Sequence, residues 1–452
     1  MASFQAGFGR SDLTPGVGCR LVGYGNRTEG ARGVHDPLAA RALVLEDDGG
    51  RRALVSVEFC FLNMDTVAAI RRAIEGRTRI PPANSFIATT HTHAGPDDRQ
   101  AENWDRPLAE LVADAVEAAC QALQPARIGS GYGFLYGYSI NRRWLDRPVD
   151  PAVAVVRIDD TAGKPLGLVT NFACHAVVMG ADNLLVSGDW PGYASARLEE
   201  ALGPGSACLF FQGGAGNINP VVGGVRRRLE GHQTVRAIGE VSVYYGPADD
   251  PDQWSIGDRK GGTFEEVAEL GQAYAEAVLK VSNRLTTAEP AGPLWSEQIV
   301  VDAIADPDEP RPEPPAWSLV LRAEDPTNAQ GKIPAEVMLL GLGDIVWVGQ
   351  PGEVFSETSV RLRTQLRLMG YAAPMLVSYA NGWLAYLPEP DAFEEGGYEP
   401  GWAVRLGISA HFQARVWGAI EPVLIAQSVE GHTMSAEKMH RKGAKNAKQG
   451  KI

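Results

Sequence analysis

Short apolar, β-branched runs recur along this chain, and four of them end at a turn beside a side chain with a strong donor atom. The run at 85–89 passes into His91-Thr-His93 and stops at Gly95-Pro96. The run at 167–172 leads to Cys174 and His175, and the run at 344–348 to Gln350-Pro-Gly-Glu353. The run at 374–379 precedes Asn381-Gly-Trp-Leu-Ala-Tyr386. Side chains alternate along a strand, so His91 and His93 are expected to extend one strand and point to one side of it. The mouth of a sheet, beyond the ends of its strands, is a common ligand position in open α/β folds. Two imidazoles, a carboxylate and a phenol form a borderline donor set that suits a single zinc ion per chain.

Helical patterns alternate with these runs, which predicts an α/β class. Mixed sheets with flanking helices are expected, with the metal site at the C-terminal ends of strands. Helices are expected over 65–75, 105–123, 193–202 and from Thr263 to about 281. The second would take Asp105 as its N-cap, and Thr263-x-x-Glu266 is a capping-box pattern. Further strands are expected over 38–45, 52–59, 127–132, 153–158, 207–211, 319–321 and 336–340, and a helix over 354–368. The Pro- and acid-rich stretch at 302–315 predicts a connection between two lobes, 1–300 and 318–434, of one catalytic domain spanning 1–434. The stretches 221–262 and 388–402 are expected to be long loops over the site.

Net charge is −13, and the last stretch, 435–452, contributes +5, so the rest carries −18. An acidic body argues against nucleic acid as a partner, because phosphate binding needs a basic surface. The tail has too little apolar content to pack and is expected to be disordered. There is no apolar run long enough for a membrane span and no secretion signal, so a cytoplasmic location is expected. The five cysteines include no Cys-x-x-Cys pair and read as buried free thiols, with Cys174 facing away from His175.

Other residues admit two readings. His35 is either a third imidazole of the site or a turn histidine bonded to its own loop. Arg142 and Arg143 either reach the site, to hold a carboxylate or an oxyanion, or lie solvated on the surface. Asp189 either caps the helix that follows or supports a ligand imidazole. The turn at 213–217 offers backbone N–H groups to an oxyanion, and without Gly-Lys-Ser/Thr it makes a poor phosphate loop. Gly23-Tyr-Gly25 is expected to let backbone approach a ligand closely.

These motifs, in their order, resemble the catalytic region of the neutral/alkaline, non-lysosomal ceramidases over roughly residues 5–427. The matching segments are 9–15, 91–96, 140–142, 171–175, 187–189, 216–220, 351–353, 381–386 and 398–399. The resemblance implies zinc held by His91, His175, Glu353 and Tyr386, with His93, Arg142 and Tyr398 lining the reacting centre. It implies hydrolysis of an amide in a small acylated substrate, through a metal-activated water. Family members carry a serine about where Gly213 stands, a C-terminal β-sandwich that this chain is too short to hold, and a secretion signal. A zinc-dependent ester or lactone hydrolase is the alternative on the same ligands. An amidohydrolase-type barrel and a non-enzymatic zinc protein are less well matched.

Overall fold

The computed structural model describes residues 4–25, 27–144, 147–222, 236–238, 241–244, 261–309 and 327–428. Eight strands form the larger sheet: β1 (Gln5–Asp12), β2 (Ala39–Asp47), β3 (Gly50–Val57), β4 (Ser85–Thr89), β5 (Gln124–Phe134), β6 (Ala152–Asp160), β7 (Pro165–Phe172) and β8 (Ala207–Gln212). Their spatial order is β8-β7-β6-β5-β1-β2-β3-β4. A second sheet contains β9 (Leu294–Asp302), β10 (Pro334–Leu342), β11 (Ile345–Gly349) and β12 (Ala373–Val377), in that order.

Most neighbours are antiparallel, but three pairs are parallel: β3 with β4, β7 with β8, and β11 with β12. A parallel pair needs a crossover, usually a helix. Here the crossovers are α1 (Met64–Thr78), α3 (Asp189–Leu202) and α5 (Ser356–Leu368), with α2 (Leu108–Gln121) packed beside α1. The residues singled out in the sequence follow the C-terminal ends of these parallel-paired strands. His91 follows β4, His175 follows β7, Glu353 follows β11 and Tyr386 follows β12.

The two sheets face one another across a shared core. Phe86, Val156, Leu209 and Phe211 from the first sheet pack with Met338, Leu340, Trp347 and Met375 from the second. On β8, Ala207, Leu209 and Phe211 enter this core, while Cys208 and Phe210 face α3 and α4 (Phe264–Ser282). Strands buried on both faces read as continuous apolar runs, which is what the sequence carries there. Helices α1 and α2 cover one outer surface, and α5 and a helix over 412–428 cover the outer face of the second sheet. The result is a four-layer sandwich. The change of sheet falls before β9, ahead of the 302–315 stretch, and one core joins the two sheets.

Several local expectations are corrected. Strand β4 stops at Thr89, and His91 takes a left-handed backbone (φ 66°), so the two histidines sit on the turn rather than the strand. Helix α2 starts at Leu108 with Pro107 as N-cap and no side-chain cap, so Asp105 does not cap it. The Pro107 carbonyl accepts from Glu110 and Leu111 N–H and opens the helix instead. The 388–402 stretch holds two short helices, α6 (Pro390–Glu395) and α7 (Tyr398–Arg405). The capping box of α4 forms as expected, with Thr263 and Glu266 exchanging bonds of 3.2 Å. The strand expected over 319–321, most of 221–262 and the tail at 435–452 lie outside the described residues.

Because the two sheets share one core, Phe86→Ala should destabilise the whole fold by about 3–5 kcal/mol in a single urea transition. Leu368→Ala, at an 85% exposed position, should change stability by less than about 0.5 kcal/mol. Two separate transitions would contradict the shared core.

Candidate metal centre

The three βαβ units bring their strand ends to one point. The ligating atoms of His91, His175 and Glu353 all lie within 4.8 Å of one another. Glu353 Oε2 stands 3.6 Å from His91 Nε2 and 3.3 Å from His175 Nε2. All three side chains are buried. Glu353 reaches the site because Glu353–Val354 pairs in parallel with Tyr386–Leu387, which also fixes Tyr386 beside it.

Each imidazole spends its other nitrogen on a backbone carbonyl. His91 Nδ1 lies 2.7 Å from the Cys60 carbonyl. His175 Nδ1 lies 2.6 Å from the Ala215 carbonyl and 3.0 Å from that of Ile218. A carbonyl only accepts, so these contacts assign the proton to Nδ1 and leave the Nε2 lone pair facing the cluster. A donated Nδ1–H of this kind orients a metal-ligating histidine. Burial lowers both imidazoles to a pKa of about 3; Glu353 opposes the shift at His91, and Arg142 adds to it at His175. Burial raises the Glu353 pKa, against the pull of His91 and Arg142.

Arg142 is the cation of the site. Its Nη2 donates to the Tyr386 hydroxyl over 3.0 Å, and its Nη1 lies 3.5 Å from His175 Nε2. Nε donates to Glu399 Oε1 over 2.8 Å, while Arg143 holds Oε2 at 2.9 Å. Burial alone would raise the Glu399 pKa, but Arg142 and Arg143 bring it below the ordinary value. Tyr398 sets its ring edge-on to Tyr386 at 5.6 Å. His93 Nε2 stands 3.1 Å from His91 Nε2. Gly23 makes room for this ring, since a Cβ there would come within 2.4 Å of His93 Cγ, and Tyr24 packs edge-on against it at 4.9 Å.

Residues 4–240, just over half of the chain, match the family described as neutral/alkaline non-lysosomal ceramidase, N-terminal. The chain belongs to that family. Neutral ceramidase B of Dictyostelium discoideum is 30% identical over 257 residues, covering 48% of this chain and 36% of that protein. Neutral ceramidase A of the same organism is 28% identical over 330 residues, 63% of this chain and 46% of that one. The neutral ceramidase of Mycobacterium tuberculosis is 30% identical over 261 residues, 49% and 41%. The matched region is thus less than half the length of each of these relatives. Among solved structures, a ceramidase complexed with C2 superposes with a TM-score of 0.72 at 19% identity, over 94% of this chain and 75% of that one. Neutral ceramidase from Pseudomonas aeruginosa gives 0.70 at 18% identity, over 97% and 75%. At these identities the superpositions establish the fold.

In this ceramidase-family chain, the fold gathers seven of the eight candidate residues: His91, His93, Arg142, His175, Glu353, Tyr386 and Tyr398. His35 is the exception. Its side chain is 42% exposed, bonds Asp36 at 2.5 Å and stacks on Phe264 at 3.4 Å, which is the turn reading. Asp189 sits in the first turn of α3, where its Oδ1 accepts from Trp190 N–H over 2.7 Å. Its carboxylate accepts from the N–H groups of Val178 and Met179 and braces the loop after His175. The 213–217 turn works through carbonyls rather than N–H donors. The N–H groups of Gly213, Ala215 and Gly216 are taken by backbone acceptors, while the Ala215 carbonyl holds His175. Cys174 packs into the outer core, away from the imidazole next to it.

Three site residues escaped the sequence reading: Tyr379, Trp383 and Glu399. Tyr379 and Trp383 both donate to Glu353. Their signal was three aromatic residues within eight positions of a turn. For Glu399 the signal was its place, next to Tyr398, in the matching segment 398–399.

The buried imidazoles make the metal-free chain acid-sensitive. Each takes a proton near pH 3 when folded and near 6.5 when unfolded. Below about 6.5 the unfolded chain therefore binds more protons, so stability should fall as pH drops from about 6.5 toward about 3. Urea midpoints of stripped protein should decline across that window, and less steeply in the His91→Asn/His175→Asn double variant. A midpoint indifferent to both pH and substitution would refute neutral buried imidazoles.

Proposed function

We propose that this chain is a zinc-dependent hydrolase of an N-acyl amide, of the kind its ceramidase relatives are named for. One observation carries the reading. Two imidazoles with unprotonated Nε2 atoms and a carboxylate converge within 4.8 Å in a chain of this family. The donor set fits a zinc ion: His91, His175 and Glu353 would hold it, with the Tyr386 phenol alongside. When bound, zinc supplies Lewis acidity and acidifies a water it holds.

The chain's own residues supply the rest. The small span of the donors and the burial of the site keep bulk water out and strengthen each charge interaction. Arg142, pinned by Glu399, keeps a fixed positive charge beside Tyr386 and His175, where the oxyanion of a tetrahedral intermediate would develop. His93 contacts His91 Nε2, the same lone pair that a metal would take. With that lone pair engaged elsewhere, His93 Nε2 is left to carry a proton to the departing amine. Tyr398 walls the site next to Tyr386.

Metal analysis of purified protein should find about one zinc per chain, and His91→Ala or His175→Ala should lose both the metal and activity. Matched N-acyl and O-acyl substrates of increasing chain length test the bond cleaved. Preference for the esters would favour the ester hydrolase alternative. Metal-free protein with full activity would refute the reading. Arg142→Met should retain zinc while kcat falls about 10²–10³-fold, as for loss of an oxyanion donor. An unchanged kcat in that variant would remove Arg142 from the mechanism.

A further inference from the structure

The Glu353 carboxylate is reached by two donors that hydrolysis as described does not use. Tyr379 Oη donates to Oε2 and Trp383 Nε1 to Oε1, each over 3.3 Å. Oε2 is the oxygen that faces both His91 Nε2 and His175 Nε2. A carboxylate oxygen has about two acceptor positions. With one taken on Oε2 by the phenol, a second remains toward the imidazoles, and Oε1 is turned to the indole.

Tyr379 is itself fixed from several sides. Its ring stacks on His91, with centroids 4.0 Å apart and planes 17° apart. Its N–H donates to the Gly352 carbonyl, next to Glu353, and its carbonyl accepts from Thr89 N–H at the end of β4. It holds a left-handed backbone with φ 55°, a conformation that non-glycine residues seldom adopt unless the surroundings impose it. Trp383 is steadied by Phe61, whose ring lies parallel to it at 4.3 Å. The two phenols near Glu353 also differ in role. Tyr386 hydrogen-bonds the carboxylate as well but also accepts from the Arg142 guanidinium, whereas Tyr379 combines its donation to Oε2 with stacking on His91.

We propose that Tyr379 and Trp383 are positioning residues that make Glu353 a one-oxygen ligand, presenting Oε2 to the ion and tying Oε1 back. The inference rests on the zinc reading above. Donors behind a ligating carboxylate typically contribute 10–100-fold to metal affinity.

The test is zinc affinity of the full chain, measured by competition with a chromophoric chelator, for wild type, Tyr379→Phe and Trp383→Phe. The melting temperature of each metal-stripped protein is read alongside. Phenylalanine keeps a ring against His91 at 379 and against Phe61 at 383, so each change removes mainly the donor. The zinc Kd should rise by about 10–100-fold in each variant, while the stripped proteins melt close to wild type. Wild-type affinity in both variants would overturn the proposal. So would a lower melting temperature with unchanged affinity, the mark of a purely structural role. If Tyr379→Phe does not fold, Trp383→Phe decides: weaker zinc binding supports the clamp and unchanged binding refutes it. Wild-type protein that takes up no zinc is a different failure, that of the hydrolase reading itself.

Discussion

An ionised carboxylate is costly inside a protein unless opposite charge and donors surround it, and Glu353 lies almost fully buried where the two sheets meet. Its neighbours can be understood as answers to that cost. A phenol and an indole donate to it directly. Arg142 supplies positive charge nearby and is in turn matched by Glu399. The alternation continues outward. Arg143 bridges Glu399 and Glu395, Arg147 pairs with Glu395, and Arg147 reaches the exposed Asp391. Charge is thus balanced stepwise from the buried site to the surface, and the short helices α6 and α7 are held in place by the same pairs.

The second constraint is chain direction. Parallel pairs point their C-terminal ends the same way, and each of the three in the two large sheets hands its chain to the site. Leaving a strand for a shared point demands sharp turns, and the backbone shows where they occur. Of the six non-glycine residues with positive φ among the described residues, His91, Tyr379, Asn381 and Ala385 lie in the segments that form the site. Asn381 shows what holds such a turn: its side chain and N–H both bond to Ile87 on β4. Backbone strain of this kind costs about 1–3 kcal/mol per residue. Here it places side chains that a regular strand would direct elsewhere.

Much of this was legible beforehand. Apolar runs with a double-buried pattern located the strands, helical spacing located α1, α2 and α4, and the donor residues stood out because each ended a run. The failures share a cause. Asp189, the 213–217 turn and His35 were read from local chemistry, but their roles depend on what lies across from them. Asp189 serves a loop N–H pair as well as its own helix, three of the turn's N–H groups are bonded to backbone while its Ala215 carbonyl holds His175, and His35 meets Asp36 and Phe264 instead of the cluster. Tyr379, Trp383 and Glu399 were passed over because an aromatic or acidic residue near a turn has many uses, and only its partner selects one.

The amino-acid sequence alone determined the class of fold, the strand ends that carry donor atoms, and the kinship to ceramidases, because periodicity and motif order are properties of the chain itself. Which donors meet, which ring nitrogen each imidazole keeps free, and which phenol faces Arg142 were decided only by the packing of two sheets. Those are distances of about 3 Å between residues as far as 257 positions apart, such as Arg142 and Glu399, and hydrogen bonds of that length have no trace in local pattern.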